Sequence, residues 1–400
     1  MTANLHRQHL RIAVIYFSIA ALLGLLLRFY PIFTFDFNYR YIVHAHSHIA
    51  LLGWVYVALT TLLHYCFLDK KTSSKRYRHI FWGTQGTLVG MLLTFPFQGY
   101  ALFSIIFSTL FLIASYIYTY HFWKNIESEH RESKGLKCVK TALVYMVLSS
   151  LGPWALGVIM STLGAQSIWY RLSIYFYLHF QYNGWMLLAL LGLFLYVLEQ
   201  RNLIIPQKSF VRFFQTINIG IILTFFLSTL WTEPPLGLYI LGGIGVTIQF
   251  YSLVYLWTLT KKKVITLNLS NLQNRLLRIV VILISIKMLL QLMTTLPYFA
   301  QMAAVYLDFT IGYLHLTFLG VISFGLFFFT DYFGLLLMSK KSCLLYFLGF
   351  ILTECLIFYK GFAAWQEWGI FSGYTSFLAT FSFLILFGLL LFLIQNLGKN

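Results

Sequence analysis

Twelve apolar runs, each close to the ~20 residues that a helix needs to cross a bilayer, fill most of the 400-residue chain. They fall at about 10–30, 42–66, 79–98, 100–123, 139–162, 171–198, 211–231, 236–260, 276–297, 304–330, 342–359 and 373–395. With 60% hydrophobic and only 10% charged residues, so many runs cannot be hidden in one soluble core. The expectation is an all-α polytopic membrane protein of about twelve transmembrane helices. No linker longer than about 20 residues and no short-period repeat interrupts the series, so residues 1–400 read as a single integral membrane domain.

A formal charge of +17 would suggest nucleic acid in a soluble chain. Here the basic residues sit in alternate short loops: Asp69 to Arg78, Lys124 to Lys140, Arg201 to Arg212, Lys261 to Arg278, and Lys340-Lys341. The intervening loops hold only Arg28, Arg40, Arg171 and Lys360. That alternation is the signature of orientation in a membrane, which excludes nucleic acid as a partner and makes the lipid bilayer the first one. It predicts an inner-membrane, multi-pass protein with both termini cytoplasmic. The N-terminus, with His6, Arg7, His9 and Arg11, has no small-residue cleavage site, so the first run reads as a retained helix. Cys66, Cys138, Cys343 and Cys355 form no C-x-x-C pair and imply neither a disulfide framework nor a zinc site.

Histidine is costly in lipid, and the second run opens with three in alternation, His44-Ala45-His46-Ser47-His48. At ~100° per residue, His44 and His48 share one helix face and His46 lies roughly opposite, so at least one imidazole must point into protein. His6, His9, His79, His121 and His130 sit at loop ends where solvation accounts for them, and His64 reads as interfacial. His44, His46, His48, His179 in the sixth run and His315 in the tenth remain as candidate metal ligands. At ~1.5 Å per residue, His48, His179 and His315 lie roughly 10, 12 and 16 Å in from the outer face, so all three share one half of the membrane. Imidazole is the commonest protein ligand of haem iron, and an axial haem ligand is one reading of this cluster. Hydrogen bonding to headgroups or neighbouring helices is the other.

Twelve spans, a cytoplasmic N-terminus, His48 followed by Leu51-Leu52-Gly53-Trp54, and histidines in spans six and ten resemble subunit I of the haem–copper oxidases. The likeness is to the divergent branch that includes the nitric oxide reductases and, in concept, NnrS-type proteins. It implies an oxidase-like bundle with a low-spin haem b held by His48 or His46 and by His315. The family's second span-ten histidine is Tyr313 here, and span seven, Phe225 to Trp231, has no histidine. Only His179 matches a copper ligand, so the resemblance implies an incomplete copper site. What it leaves is electron transfer, redox or gas sensing, or haem handling, with a membrane redox protein or quinol as partner. Among the outward basic residues, Arg40 and Arg171 are candidate partners for haem propionates, the other reading being that they mark helix ends at the lipid headgroups. The alternatives are an enzyme with a metal site rebuilt from His179, Tyr182, Tyr313 and a spare histidine of the 44–48 cluster, and a transporter or assembly factor for haem or copper.

Lys287 and Glu354 lie mid-span, where a charge costs roughly 2.5–3.5 kcal/mol on insertion scales, and a proton path and a neutralised structural pair are the two readings the sequence leaves open. Pro96 and Pro153 are expected to kink their helices.

Overall fold

The computed structural model describes residues 2–398, whose regular structure is helical apart from one isolated bridge between Leu68 and Ile126. Along the chain run α1 (Thr2–Phe29), α2 (Tyr39–His48), a π-helical segment π1 (Ile49–Tyr56) and α3 (Val57–Phe67). Next come α4 (Lys70–Gln98), α5 (Leu102–Lys124), α6 (Lys134–Ser149), α7 (Leu151–Thr162), α8 (Ile168–His179), π2 (Phe180–Leu187) and α9 (Leu188–Glu199). They are followed by α10 (Gln207–Leu223), a 3₁₀ extension (Thr224–Thr232), α11 (Leu236–Ile265), α12 (Asn271–Met293) and α13 (Pro297–Val305). The series closes with α14 (Leu307–His315), π3 (Leu316–Ile322), α15 (Ser323–Tyr332), α16 (Lys340–Trp365) and α17 (Tyr374–Leu397). Segments joined end to end make twelve rods, with the short α13 standing apart, among the described residues.

Eleven of these rods are long and apolar enough to cross a membrane. The exception is α4, where the third span was expected. Its first turns carry Lys71, Lys75, Arg76 and Arg78, and its apolar part is diluted by Gln85, Gly83, Gly86 and Gln98. Helix starts follow local chemistry: Asn38, Asp69, Ser133, Ser167, Ser270 and Ser339 each accept a backbone N–H from the turn they open. Pro153 has no N–H for the Ser149 carbonyl, and the fifth rod breaks there at Ser150, whereas α4 continues through Pro96.

The chain forms two compact units, Met1–Ser128 with Ser323–Asn400, and Glu129–Ile322. In the first, an aromatic stack makes the core. Phe17 lies flat on Trp54 at 4.8 Å, and Phe327 meets Trp54, Tyr346 and Phe392 at 5.7, 5.1 and 5.3 Å. The Trp54 indole N–H donates to Ser323 Oγ at 2.9 Å. Helix α5 shows how a rod faces lipid: Leu102, Phe103, Ile106, Leu110 and Ile117 point outward, and Phe111, Ser115, Tyr118 and Phe122 point inward. In the second unit Tyr145 stacks on Phe180 at 5.7 Å, and Phe180 on Phe225 at 5.8 Å.

Burial separates the rods sharply. The apolar windows of rods two, six and ten are 83, 83 and 67% buried, against 28–44% for the other eight that can cross a membrane. These three rods carry His48, His179 and His315.

Candidate functional site

Each of these histidines is the last α-helical residue before a π-helical turn: His48 before π1, His179 before π2 and His315 before π3. A π turn holds an extra residue per turn and concentrates at functional positions because it re-aims side chains. Five residues after each histidine stands a glycine: Gly53, Gly184 and Gly320. A β-carbon on Gly53 would lie 2.8 Å from Tyr16 Cβ, and one on Gly184 would lie 2.7 Å from Tyr145 Cβ. In both cases the tyrosine comes from the preceding rod. The pattern His-x-x-x-x-Gly at positions 48, 179 and 315 is a long-period repeat visible in the sequence, and a search for short periods passes over it.

In the first unit the helical-net expectation holds. His46 turns toward α1, where its Nδ1–H donates to the Ala20 carbonyl at 2.8 Å and its ring lies against Gly24. His44 and His48 turn the other way, toward Phe95 and Tyr100. The His48 Nδ1–H donates to the His44 carbonyl at 2.8 Å, its ring stacks on Phe95 at 4.3 Å, and Nε2 accepts from the Tyr100 hydroxyl at 3.2 Å. Because a carbonyl can only accept, Nδ1 carries the proton in both His46 and His48, and Nε2 is the lone-pair nitrogen. His44 packs edge-on against Tyr100 at 4.6 Å. Arg40, in the first turn of α2, is exposed.

In the second unit His179 is fully buried, with Nε2–H donating to the Ile221 carbonyl at 2.8 Å. Its Nδ1 accepts from Asn183 Nδ2 at 3.3 Å, with Ser228 Oγ at 3.5 Å. Asn183 Oδ1 in turn accepts from Lys287 Nζ at 2.8 Å, and Gln291 Oε1 accepts from the same ammonium at 3.1 Å. The rings of Tyr182 and Tyr313 face the Lys287 nitrogen at 5.6 and 5.5 Å. Lys287 is satisfied within the second unit by two amide oxygens and two aromatic faces. Both ring nitrogens of His179 are likewise occupied by protein. Arg171 is exposed and stacks on Trp231 at 4.1 Å. His315 is half-buried at the end of α14, two residues beyond Tyr313.

The histidines expected to be solvated, and His64, expected to be interfacial, need correcting. His6, His9, His64 and His121 are 0, 1, 0 and 1% exposed, and His130 is also buried, beside Glu129 at 3.3 Å. Only His79 is open. His6, His9, His64 and His121 lie near helix ends but face inward among α1, α3, α4 and α5, and His130 packs on Tyr196 of α9, which position along the chain does not reveal. No protein-family model matches the chain, and no curated protein matches it.

Proposed function

We propose that this chain is a haem-b-binding integral membrane protein of oxidase-like organisation that passes or senses single electrons through a bis-histidine low-spin haem. His48 is assigned as one axial ligand, with His46 second in line, and His315 is the partner that the resemblance implies. The observation that carries the reading is the state of the His48 imidazole. A ligating histidine characteristically donates its other ring N–H to a carbonyl, which fixes tautomer and ring orientation. His48 does so to His44, and Nε2 keeps the lone pair, opposite a Tyr100 hydroxyl on a residue 52% exposed that iron would displace. The recurrence of a π turn directly after His48, His179 and His315 supports placing these three rods at the centre of function.

Bound haem would supply a one-electron couple whose potential responds to its axial ligands and burial. The protein's part is to present Nε2, to shield one side with Phe95, and to offer Arg40 and Arg171 to the propionates. The hydrogen bonds that occupy both nitrogens of His179 weigh against copper there. An inner-membrane location, cytoplasmic termini and a quinol or membrane redox protein as partner complete the proposal.

The test is a reduced-minus-oxidised spectrum of the protein purified in detergent. A sharp alpha band is expected, lost in His48→Ala and His315→Ala and kept in His179→Ala. No alpha band, or a band that survives both of the first two substitutions, overturns the reading.

A further inference from the structure

Helices α11 and α12 of the second unit are consecutive, joined across residues 266–270. Between them lies a groove of about 330 Å³, lined by Val246, Thr247 and Phe250 of α11 and by Met288, Leu289 and Leu292 of α12. It opens toward lipid: Phe250, Leu289 and Leu292 are 39, 55 and 45% exposed. Its one hydroxyl, that of Thr247, donates back to the Gly243 carbonyl at 2.9 Å, so the groove suits an apolar occupant.

Each wall leads along one helix face to a cation. At ~100° per residue, Phe250, Val254, Trp257 and Lys261 share a face of α11, and Leu289, Ser285, Val281 and Arg278 share a face of α12. Lys261 is eleven residues from Phe250, and Arg278 is eleven residues from Leu289, so both cations stand about 16 Å from the groove and at one level. Half of the ~30 Å hydrocarbon core, the depth of one leaflet, is about 15 Å. The groove thus lies where an acyl chain ends, and the cations where its headgroup begins. Trp257, 38% exposed and one turn inward from Lys261, stands where interfacial indoles collect. Lys261 and Arg278 are exposed, and no Asp or Glu occurs between Glu233 and Asp308.

We propose that this face binds one anionic phospholipid, its phosphate held between Lys261 and Arg278 and one acyl chain laid in the groove. Charge selects the headgroup: two cations with no carboxylate on either helix favour an anionic lipid over a zwitterionic one, and the Arg278 guanidinium can take two phosphate oxygens at once. Other loops carry basic pairs, as Lys340-Lys341 does, but this pair stands one leaflet away from an apolar groove on the same two helices. The site makes no use of the haem assignment and stands or falls without it.

The experiment places the full-length protein in nanodiscs of phosphatidylcholine with a minor share of phosphatidylglycerol, and counts the lipids it retains by native mass spectrometry. Wild type is expected to keep one phosphatidylglycerol. Affinity should fall about 5-fold in Lys261→Gln or Arg278→Gln and about 30-fold in the double variant, the usual effect of a basic residue near an anionic headgroup. These side chains are exposed, so their loss leaves the fold intact. Thr247→Trp fills the groove, keeps both cations and should lose the lipid as well. Lys340→Gln with Lys341→Gln should keep it. Equal retention in wild type and the Lys261–Arg278 double variant overturns the proposal, and so does retention undiminished by Thr247→Trp. Phosphatidylcholine held as well as phosphatidylglycerol, or an equal loss in the Lys340–Lys341 variant, overturns it too.

Discussion

The ring of His46 lies against Gly24: its Cε1 stands 2.9 Å from where a β-carbon would be, and its Nδ1 is bonded to Ala20, one turn earlier on α1. A methyl group at 24 therefore collides with an imidazole that has nowhere to turn without losing its carbonyl. Gly24→Ala is expected to destabilise the protein by about 1–3 kcal/mol, the usual cost of overpacking. Thermal unfolding in detergent measures it. His46→Ala combined with Gly24→Ala should recover most of the loss, because the obstructing ring is gone.

Trp54 and Ser323 are joined across 269 positions of sequence by one indole N–H···Oγ bond of 2.9 Å within the first unit. Trp54→Phe keeps the stack on Phe17 and removes the donor. A loss of about 1 kcal/mol is expected. In a double-mutant cycle with Ser323→Ala, strictly additive losses would show that this bond contributes nothing.

Asn183 holds the Lys287 ammonium on one side and the His179 ring on the other. Asn183→Leu strips the buried Lys287 nitrogen of an acceptor and should cost about 1–3 kcal/mol. Adding Lys287→Met removes the stranded donor, so the double variant should be more stable than Asn183→Leu alone. Unfolding midpoints of the three proteins decide it.

Asp69 caps α4 through its carboxylate, accepting the Lys71 N–H at 2.9 Å and the Thr72 hydroxyl at 3.0 Å, and these bonds hold its pKa below the ordinary 3.8. A depressed carboxylate contributes stability above its unfolded pKa and loses it as pH falls through the folded value. The protection of backbone amides in the first turn of α4, taken relative to their intrinsic exchange at each pH, should therefore fall as the pH drops below 3.8. Asp69→Asn, which caps without titrating, should flatten that dependence in hydrogen-exchange measurements.

Much of the rod pattern was legible, because the cost of placing each residue in lipid is a local quantity that sums along a run. Eleven spans appear where apolar runs stand, and the twelfth, α4, fails because glutamines and glycines dilute it. The opposed faces of His44–His48 and His46 were legible too, since helical period alone sets them. Burial of His6, His9, His64 and His121 was not legible. Each lies within a few turns of a basic loop, and only the approach of α1 to α3 and α4 turns those faces inward.

By itself, then, the chain's order of residues determined an all-helical membrane protein with histidines set into its second, sixth and tenth rods. Tertiary structure alone decided which nitrogen of each ring holds the proton. It placed the Ile221 carbonyl against His179, the Asn183 amide against Lys287 and Ser73 against His64. The physical reason is that hydropathy is a property of one residue and its neighbours in sequence. A tautomer or a ligand-ready lone pair depends on single donor and acceptor atoms, several of them on rods far apart in the chain, arriving within about 3 Å of one another.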